Sequence, residues 1–186
     1  MLYRNATVVD IPKIEELQKK YHIAFISEED KKNGFVTTLF TKEQLTELIE
    51  TENGIALACE GEDIVAYAMA ASWEYWSKWP LFQHMIADLE NVQYAGEILT
   101  TENSYQYGPV CIDMAYRGKG VLKDLFLFSA RQMSRRYPFL ITFINHLNPR
   151  SFAAHTKKVG LNVIKSFSFN GNNYYELGFE TAKAKP

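Results

Sequence analysis

Two glycines flank a lysine at the point where a predicted strand gives way to a predicted long helix. The segment reads Arg117-Gly118-Lys119-Gly120-Val121-Leu122. The N-terminus of a helix presents unpaired backbone N–H groups and a partial positive charge, and glycine lets a phosphate approach the backbone closely. Arg117 and Lys119 add cationic side chains. The segment therefore predicts a phosphate-binding turn, although a tight strand-to-helix turn also requires glycine for its own geometry.

Two familiar nucleotide-binding patterns do not fit this turn. A Walker P-loop requires Ser or Thr after Gly-Lys, but Gly120 and Val121 follow Lys119. A dinucleotide fingerprint requires a third glycine and an early strand–helix–strand unit, and the sequence has neither. We therefore expect a phosphate-bearing ligand of another kind.

The turn resembles the signature of the GNAT superfamily of N-acetyltransferases. That signature is Gln/Arg-x-x-Gly-x-Gly/Ala after a strand. Arg117 and Gly120 match it, while Leu122 stands where the family has Gly or Ala. The final backbone amide of the loop is therefore expected to be approached less closely.

A second family element lies about thirty residues further on. In the family, an Asn precedes a helix, a polar residue follows seven positions later, and Gly-Phe comes next. Asn148, His155 and Gly160-Leu161 follow that order, with Leu161 in place of Phe. The gap between His155 and Gly160 is one residue longer than usual. The resemblance is specific over residues 107–161 and generic elsewhere.

The resemblance implies a fold, a cosubstrate and a reaction. The fold is expected to be α/β, a GNAT-like mixed, mostly antiparallel sheet with helices on both faces. The cosubstrate is expected to be acetyl-CoA, and the reaction to be direct attack of an amine on its thioester. Because an alkyl amine with a pKa of about 10 is mostly protonated at pH 7, the enzyme must help remove a proton. Glu74, Glu97 and His84 are candidate bases, but none lies in a recognisable motif.

The resemblance also implies roles for individual residues. Backbone groups of one strand would bond the pantetheine arm, and the loop amides would hold the pyrophosphate. Asn148 would bond the coenzyme near the arm, unless it serves only as a helix cap. His155 takes a position where the family often has tyrosine, and we predict that it donates a proton to the departing thiolate. The implied coenzyme-binding residues are Val110, Cys111, Ile112, Arg117, Gly118, Lys119, Gly120, Val121, Leu122 and Asn148, and the implied catalytic residue is His155.

The hydrophobic pattern places these residues among alternating strands and helices. Asn170-Gly171 between two apolar runs is typical of a type I′ hairpin turn. An irregular, aromatic-rich insert from Trp73 to Ser104 is expected to shape the acceptor site, or alternatively to close the core or form a homodimer contact. We expect one domain over residues 1–180 and a short polar tail over 181–186. The predicted strands are Leu2–Val8, Ile55–Cys59, Ile64–Met69, Tyr105–Asp113, Phe139–Asn145, Val163–Phe169 and Asn173–Phe179, and the predicted helices begin after the caps Asp10, Thr41 and Asn148 or span Leu81–Leu89 and Val121–Tyr137.

Charge is divided unevenly along the chain. Residues 1–116 contain 8 Lys+Arg and 19 Asp+Glu, whereas residues 117–165 contain 10 Lys+Arg and Asp124 as the one acid. The basic part suits an anionic ligand and the acidic part could attract a cationic acceptor, unless the two simply pair within the fold. Nucleic-acid binding is disfavoured, because the basic residues lie on two helices interleaved with strands and no nucleic-acid motif occurs.

The remaining features predict the compartment and the partners. Residues 1–7 lack the pattern of a secretory signal, and no apolar run reaches the roughly 18 residues of a membrane helix. Cys59 and Cys111 lack metal-ligand spacing and are expected to be buried thiols in strands. We therefore expect a cytoplasmic protein with neither a membrane nor a nucleic-acid partner.

Two functions remain open at this point. The first is transfer of an acetyl group from acetyl-CoA to a primary amine of a small molecule or peptide. The second is a non-catalytic acyl-CoA-binding regulatory module of the same fold, which would keep the loop but need no proton-transfer groups. The sequence does not name the acceptor.

Overall fold

The computed structural model describes residues 1–184 and divides the chain into two compact units. Unit 1 comprises Met1–Ala70 and Gly108–Ser129, and unit 2 comprises Ala71–Tyr107 and the chain from Ala130 onward. None of the helices among the described residues combines the length and apolar character that crossing a membrane requires.

Seven strands form one mixed, mostly antiparallel sheet in the order β1-β2-β3-β6-β7-β9-β8, and β4 pairs with β5 separately. The fold class predicted from the sequence is confirmed. The strands are β1 Leu2–Asn5, β2 Ile55–Glu60, β3 Asp63–Ala71, β4 Gln93–Tyr94, β5 Glu97–Ile98, β6 Ser104–Ile112, β7 Phe139–Asn145, β8 Asn162–Phe169 and β9 Asn172–Glu180. The helices are α1 Ile11–Tyr21, α2 Glu28–Lys31, α3 Lys42–Glu52, α4 Trp73–Trp76, α5 Pro80–Asp88, α6 Val121–Met133 and α7 Pro149–Ala153.

In unit 1, α1 packs against α3 through apolar side chains at helical spacing. Ile14 and Leu48 are fully buried. Thr41 caps α3 as predicted, since its hydroxyl accepts from the Gln44 backbone N–H. Asp10 does not cap α1 with its side chain, so that detail of the prediction is wrong. Its carboxylate instead accepts two hydrogen bonds of 2.7 Å from Arg4.

In unit 2, the β8–β9 hairpin turns where the sequence predicts it. Asn170 and Gly171 have φ values of 47° and 75°, the positive values that a type I′ turn requires. The aromatic insert is more regular than expected, because it contains α4, α5 and the β4–β5 pair. Trp73 is fully buried in a core cluster with Phe139 and Ile141 of β7.

Two predicted element boundaries lie more than two residues from those of the structure. The first strand ends at Asn5, and Val8–Asp10 is a 3₁₀ turn instead. The long helix α6 ends at Met133 rather than Tyr137, because the Arg136 N–H bonds the Met133 carbonyl three residues back and tightens the last turn. Of the predicted tail, Thr181–Ala184 forms a 3₁₀ turn with Ala184 fully buried, and residues 185–186 lie outside the described residues.

Candidate functional site

The parallel ladder between β6 and β7 is short. It pairs Ser104, Tyr105 and Gln106 with residues of β7 and ends at Gln106 and Ile141. The next carbonyl, that of Tyr107, accepts from the side chains of Thr142 at 2.6 Å and Gln106 at 2.7 Å. Two buried polar side chains therefore satisfy the first backbone group beyond the ladder.

The second half of β6 belongs to unit 1 and is less buried than the first. Val110 and Ile112 are half-buried, and Cys111 is 3 % exposed. Burial raises the pKa of the Cys111 thiol to about 12, so this cysteine is protonated and inert at neutral pH. A half-exposed strand of this kind can bond an extended ligand through its backbone groups.

Two residues at the end of α1 hold the loop that follows β6. The Asp113 carboxylate accepts from Lys20 at 2.6 Å and from the Ala115 N–H at 3.0 Å. The Tyr21 hydroxyl accepts from the Met114 N–H at 2.8 Å. These bonds fix the backbone just before the glycine turn.

The side chain of Arg117 makes hydrogen bonds within unit 1. Its Nε donates to the Ile112 carbonyl at 2.8 Å, and its Nη1 donates to the Asn33 carbonyl. The guanidinium also lies over the Tyr21 ring at 5.0 Å. The Arg117 backbone N–H is bonded as well, at 3.3 Å to the Met114 carbonyl. Arg117 therefore positions the loop. Its side chain bonds carbonyl oxygens, so it does not occupy the N–H groups of the neighbouring residues.

The amides of the glycine turn form a row of donors at the start of α6. Among residues 1–184, the backbone N–H groups from Gly118 to Leu122 donate no short, well-aligned hydrogen bond, whereas those of Lys123 and Asp124 bond the Gly120 carbonyl. Gly118 and Gly120 have φ values of 81° and 86°, which favour glycine. A Cβ built on either glycine meets no atom within 4 Å, so the space above the backbone is open. Lys119 is exposed beside it.

A cleft beside this loop carries negative charge. It contains Glu60 and Asp124 together with Lys119 and Tyr116. Both carboxylates are engaged, because the Tyr116 hydroxyl donates to Glu60 and the Tyr3 hydroxyl donates to Asp124 at 3.3 Å. The two carboxylates make the cleft less suitable for a phosphate than the row of amides.

In unit 2, Asn148 is a helix cap. Its Oδ1 accepts from the Ser151 backbone N–H at 3.1 Å, and Pro149 occupies the first turn of α7 as predicted. The cap uses one side-chain acceptor and leaves the amide nitrogen for other partners.

His155 lies at the start of a π-helical turn, Ala154–Val159. The Gly160 N–H bonds the His155 carbonyl five residues back at 3.0 Å. This wide turn accommodates the residue that is extra relative to the family pattern. The imidazole is buried, and its Nδ1 lies 2.9 Å from the Ser151 carbonyl. Because a carbonyl only accepts, Nδ1 carries the proton and Nε2 carries a lone pair in the neutral ring.

Burial lowers the pKa of His155, which keeps the imidazole neutral near pH 7. Its ring packs edge-on against Tyr107 with centroids 6.3 Å apart. The predicted proton-donor role needs an imidazolium, and this environment favours the neutral form.

No protein-family profile matches the chain, and no curated protein sequence matches it. Its structure, in contrast, matches many solved structures. An acetyltransferase of the GNAT family from Listeria monocytogenes superposes with a TM-score of 0.65 at 17% identity, over 96% of this chain and 94% of that one.

The chain has the GNAT fold.

Two further GNAT-fold structures were solved with the coenzyme. yncA of Salmonella typhimurium, with its cofactor acetyl-CoA, matches with a TM-score of 0.64 at 13% identity, over 97% of this chain and 93% of that one. A phosphinothricin acetyltransferase from Sinorhizobium meliloti in complex with acetyl-CoA matches with a TM-score of 0.63 at 14% identity, over 96% and 87%. At these identities the likeness concerns the fold.

The residues of unit 1 fit the pyrophosphate that acetyl-CoA would place on a GNAT fold. The N–H groups from Gly118 to Leu122 are suitable donors, and the open surface over Gly118 and Gly120 leaves room for phosphate oxygens. The predicted set Val110 to Ile112 and Gly118 to Leu122 lies on one continuous strand–loop–helix segment. Arg117 belongs to the same segment, but its side chain positions the loop through hydrogen bonds to backbone carbonyls.

The predicted candidate bases lie at the surface, whereas three polar residues that were not predicted are buried. Glu74, Glu97 and His84 are all exposed, so none has the desolvated setting that tunes a base. Three buried polar residues of unit 2 belong to no motif of the sequence: Gln106, Thr142 and Glu176. A polar residue at a core-facing position of an apolar strand was the available signal.

Proposed function

We propose that the chain is an N-acetyltransferase that moves an acetyl group from acetyl-CoA to a primary amine by direct attack. The observation that carries this proposal is the row of free amides from Gly118 to Leu122 at the start of α6, within a GNAT fold. The first N–H groups of a helix have no partner within the helix, and in this turn they adjoin open space. A pyrophosphate would satisfy them.

The chain's own residues divide the work between binding and positioning. The loop amides bind the phosphates, Lys119 adds a positive charge, and Arg117 holds the loop in shape. In unit 1, the backbone of Val110 to Ile112 orients the thioester arm. The resemblance to the family assigns Asn148 of unit 2 a hydrogen bond to the coenzyme. Acetyl-CoA supplies the acetyl group as a thioester. Holding amine and thioester in register supplies much of the rate enhancement.

His155 is the catalytic residue of this proposal. In the neutral tautomer set by the Ser151 carbonyl, its Nε2 accepts a proton or a hydrogen bond. Acting as a base, it would take a proton from the attacking nitrogen while the C–N bond forms and the C–S bond breaks. The donor role predicted from the sequence would require the charged ring, which burial disfavours.

An acetyl-CoA turnover screen tests the function. Polyamines, aminoglycosides, amino acids and peptides would be offered in turn, with free thiol and acetylated product measured together. Equal amounts of thiol and acetyl-amine support the enzyme. Tight acetyl-CoA binding without thiol release across the whole panel would favour the non-catalytic module instead.

A further inference from the structure

Unit 2 carries a connected row of aromatic rings that we call the aromatic row: Trp76, Trp79, Phe82, Phe143 and Tyr174. Phe82 lies 4.9 Å from Trp76, 6.3 Å from Trp79 and 5.6 Å from Phe143, measured between ring centroids. Phe143 continues to Tyr174 at 5.5 Å. Trp76 is buried, whereas the other four are half-buried and reach solvent. The row therefore connects four half-buried rings with the buried ring of Trp76.

Gln106 lies at the inner end of the aromatic row. The Trp76 indole N–H donates to the Gln106 backbone carbonyl at 3.3 Å. Gln106 is 1 % exposed, and its Nε2 donates to the Tyr107 carbonyl at 2.7 Å. Its Oε1 is buried and has no hydrogen-bond partner among the described residues. A buried carbonyl oxygen without a donor is destabilising, so a donor from outside the protein would improve the site.

The register of the sheet places Gln106 on the same face as the aromatic row. Gln106 pairs with Ile141 in the parallel ladder, and side chains two residues apart on a strand share a face. Ile141 belongs to the core cluster that contains Trp73 and has Phe82 and Phe143 packed against it. Gln106 and Phe143 therefore both face the α4–α5 segment.

The same face also has a carboxylate. Glu176 of β9 stands directly opposite Phe143 and is 3 % exposed. Among the described residues its one ion-pair partner is Lys165 at 3.6 Å, and Lys165 also contacts Asp88 of α5. Burial raises the pKa of Glu176, and Lys165 opposes that rise. The two carboxylates share this one ammonium, so a second cation beside them would stabilise their ionised forms. This arrangement suits a cationic ligand beside the rings.

We propose that this face binds the acceptor as a primary amine on an aromatic skeleton, with Gln106 Oε1 accepting a hydrogen bond from the amine nitrogen. The rings of the aromatic row contact the skeleton, and the carboxylates of Glu176 and Asp88 attract the ammonium form. Gln106 would be a specificity-determining residue, because a ligand without a hydrogen-bond donor leaves its oxygen unsatisfied. The assignment of this face to the acceptor rests on the proposed amine acetylation. Binding of an amine to this face can nevertheless be measured without the coenzyme.

Tryptophan fluorescence reports directly on this face, because the three tryptophans of the chain are Trp73, Trp76 and Trp79. Three ligands would be titrated into the full chain: 2-phenylethylamine, its N,N,N-trimethyl derivative, and ethylamine. The trimethyl derivative keeps the ring and the charge but has no N–H, and ethylamine keeps the N–H groups but has no ring. We expect 2-phenylethylamine to bind at least about tenfold more tightly than the trimethyl derivative, which loses a charge-assisted hydrogen bond, and also more tightly than ethylamine, which loses the ring contacts.

The decisive variant is Gln106→Met, which keeps the length of the side chain and removes the acceptor. Gln83→Met is the matched control, since Gln83 also donates from Nε2 to a backbone carbonyl, at 2.8 Å, but lies exposed on α5. Gln106→Met should weaken 2-phenylethylamine about tenfold and leave the trimethyl derivative unchanged, while Gln83→Met changes neither. Gln106→Glu keeps an acceptor oxygen and should bind 2-phenylethylamine at least as tightly as the wild type.

Three outcomes would overturn the proposal. One is an unchanged dissociation constant for 2-phenylethylamine in folded Gln106→Met. Another is equal binding of 2-phenylethylamine and its trimethyl derivative by the wild type, which decides the question even if Gln106→Met does not fold. The third is no fluorescence response to any of these amines. Calorimetry with acetyl-CoA separates this test from the proposed function, because coenzyme affinity should be the same in all Gln106 variants.

Discussion

Gly120→Val tests the row of amides at the start of α6. Gly120 has a φ of 86°, which strains any L-residue, but a Cβ there meets no atom within 4 Å, so the cost to the free protein is backbone strain without a clash at Cβ. The methyl groups of valine would occupy the open space that a phosphate must enter. A left-handed conformation costs an L-residue about 1–2 kcal/mol, so the variant should be somewhat less stable but folded.

Gly120→Val should weaken acetyl-CoA binding by more than its backbone strain alone would cause. Displacing the phosphates from even part of the amide row should weaken acetyl-CoA at least about tenfold, which corresponds to about 1.4 kcal/mol of binding free energy. Isothermal titration calorimetry measures this loss, and thermal unfolding measures the strain separately.

Gly171→Val provides a matched control. Gly171 has a φ of 75°, also faces open space, and lies in the β8–β9 hairpin of unit 2. It should lose similar stability and keep the wild-type affinity for acetyl-CoA. A folded Gly120→Val that binds acetyl-CoA as tightly as Gly171→Val would refute the assignment of the loop.

Three further predictions concern other parts of the molecule. His155→Ala should lower kcat at least about a hundredfold with little change in acetyl-CoA affinity, as expected for lost proton transfer, and a kcat within about threefold of wild type would exclude a catalytic role. Trp79→Ala should raise the KM of the acceptor more than that of acetyl-CoA, and unchanged acceptor kinetics would give the insert another role. The Arg4 guanidinium lowers the pKa of Asp10 to about 2, below its ordinary value of about 4, so the ion pair stabilises the fold above pH 4 and is lost as pH falls from about 4 to about 2. Urea unfolding across that range should show less pH dependence for Asp10→Asn than for the wild type, and equal slopes would contradict the link.

Local signals predicted the parts of the site that local physics determines. The glycine turn, the Asn148 cap and the Asn170-Gly171 hairpin each depend on a few neighbouring residues, and all three appear as expected. The strand β7 also matches its prediction, Phe139–Asn145, because a short apolar run bounded by polar residues allows little else.

Contacts between residues that are distant in the sequence could not be predicted from local patterns. The importance of Gln106 depends on where the β6–β7 ladder ends, and the inward turn of Arg117 depends on carbonyls as distant as Asn33. The proton on His155 depends on burial and on one carbonyl, neither of which residue type or spacing reveals.

Amide chemical shifts measured while acetyl-CoA is added would test the central claim most directly. The account predicts large downfield shifts of the backbone N–H resonances of Gly118 and Gly120, with Val121 moving as well, because each gains a charged acceptor. The Arg117 amide, which is already bonded to Met114, should move less. Saturable acetyl-CoA binding that leaves the Gly118 and Gly120 amides in place would contradict the account.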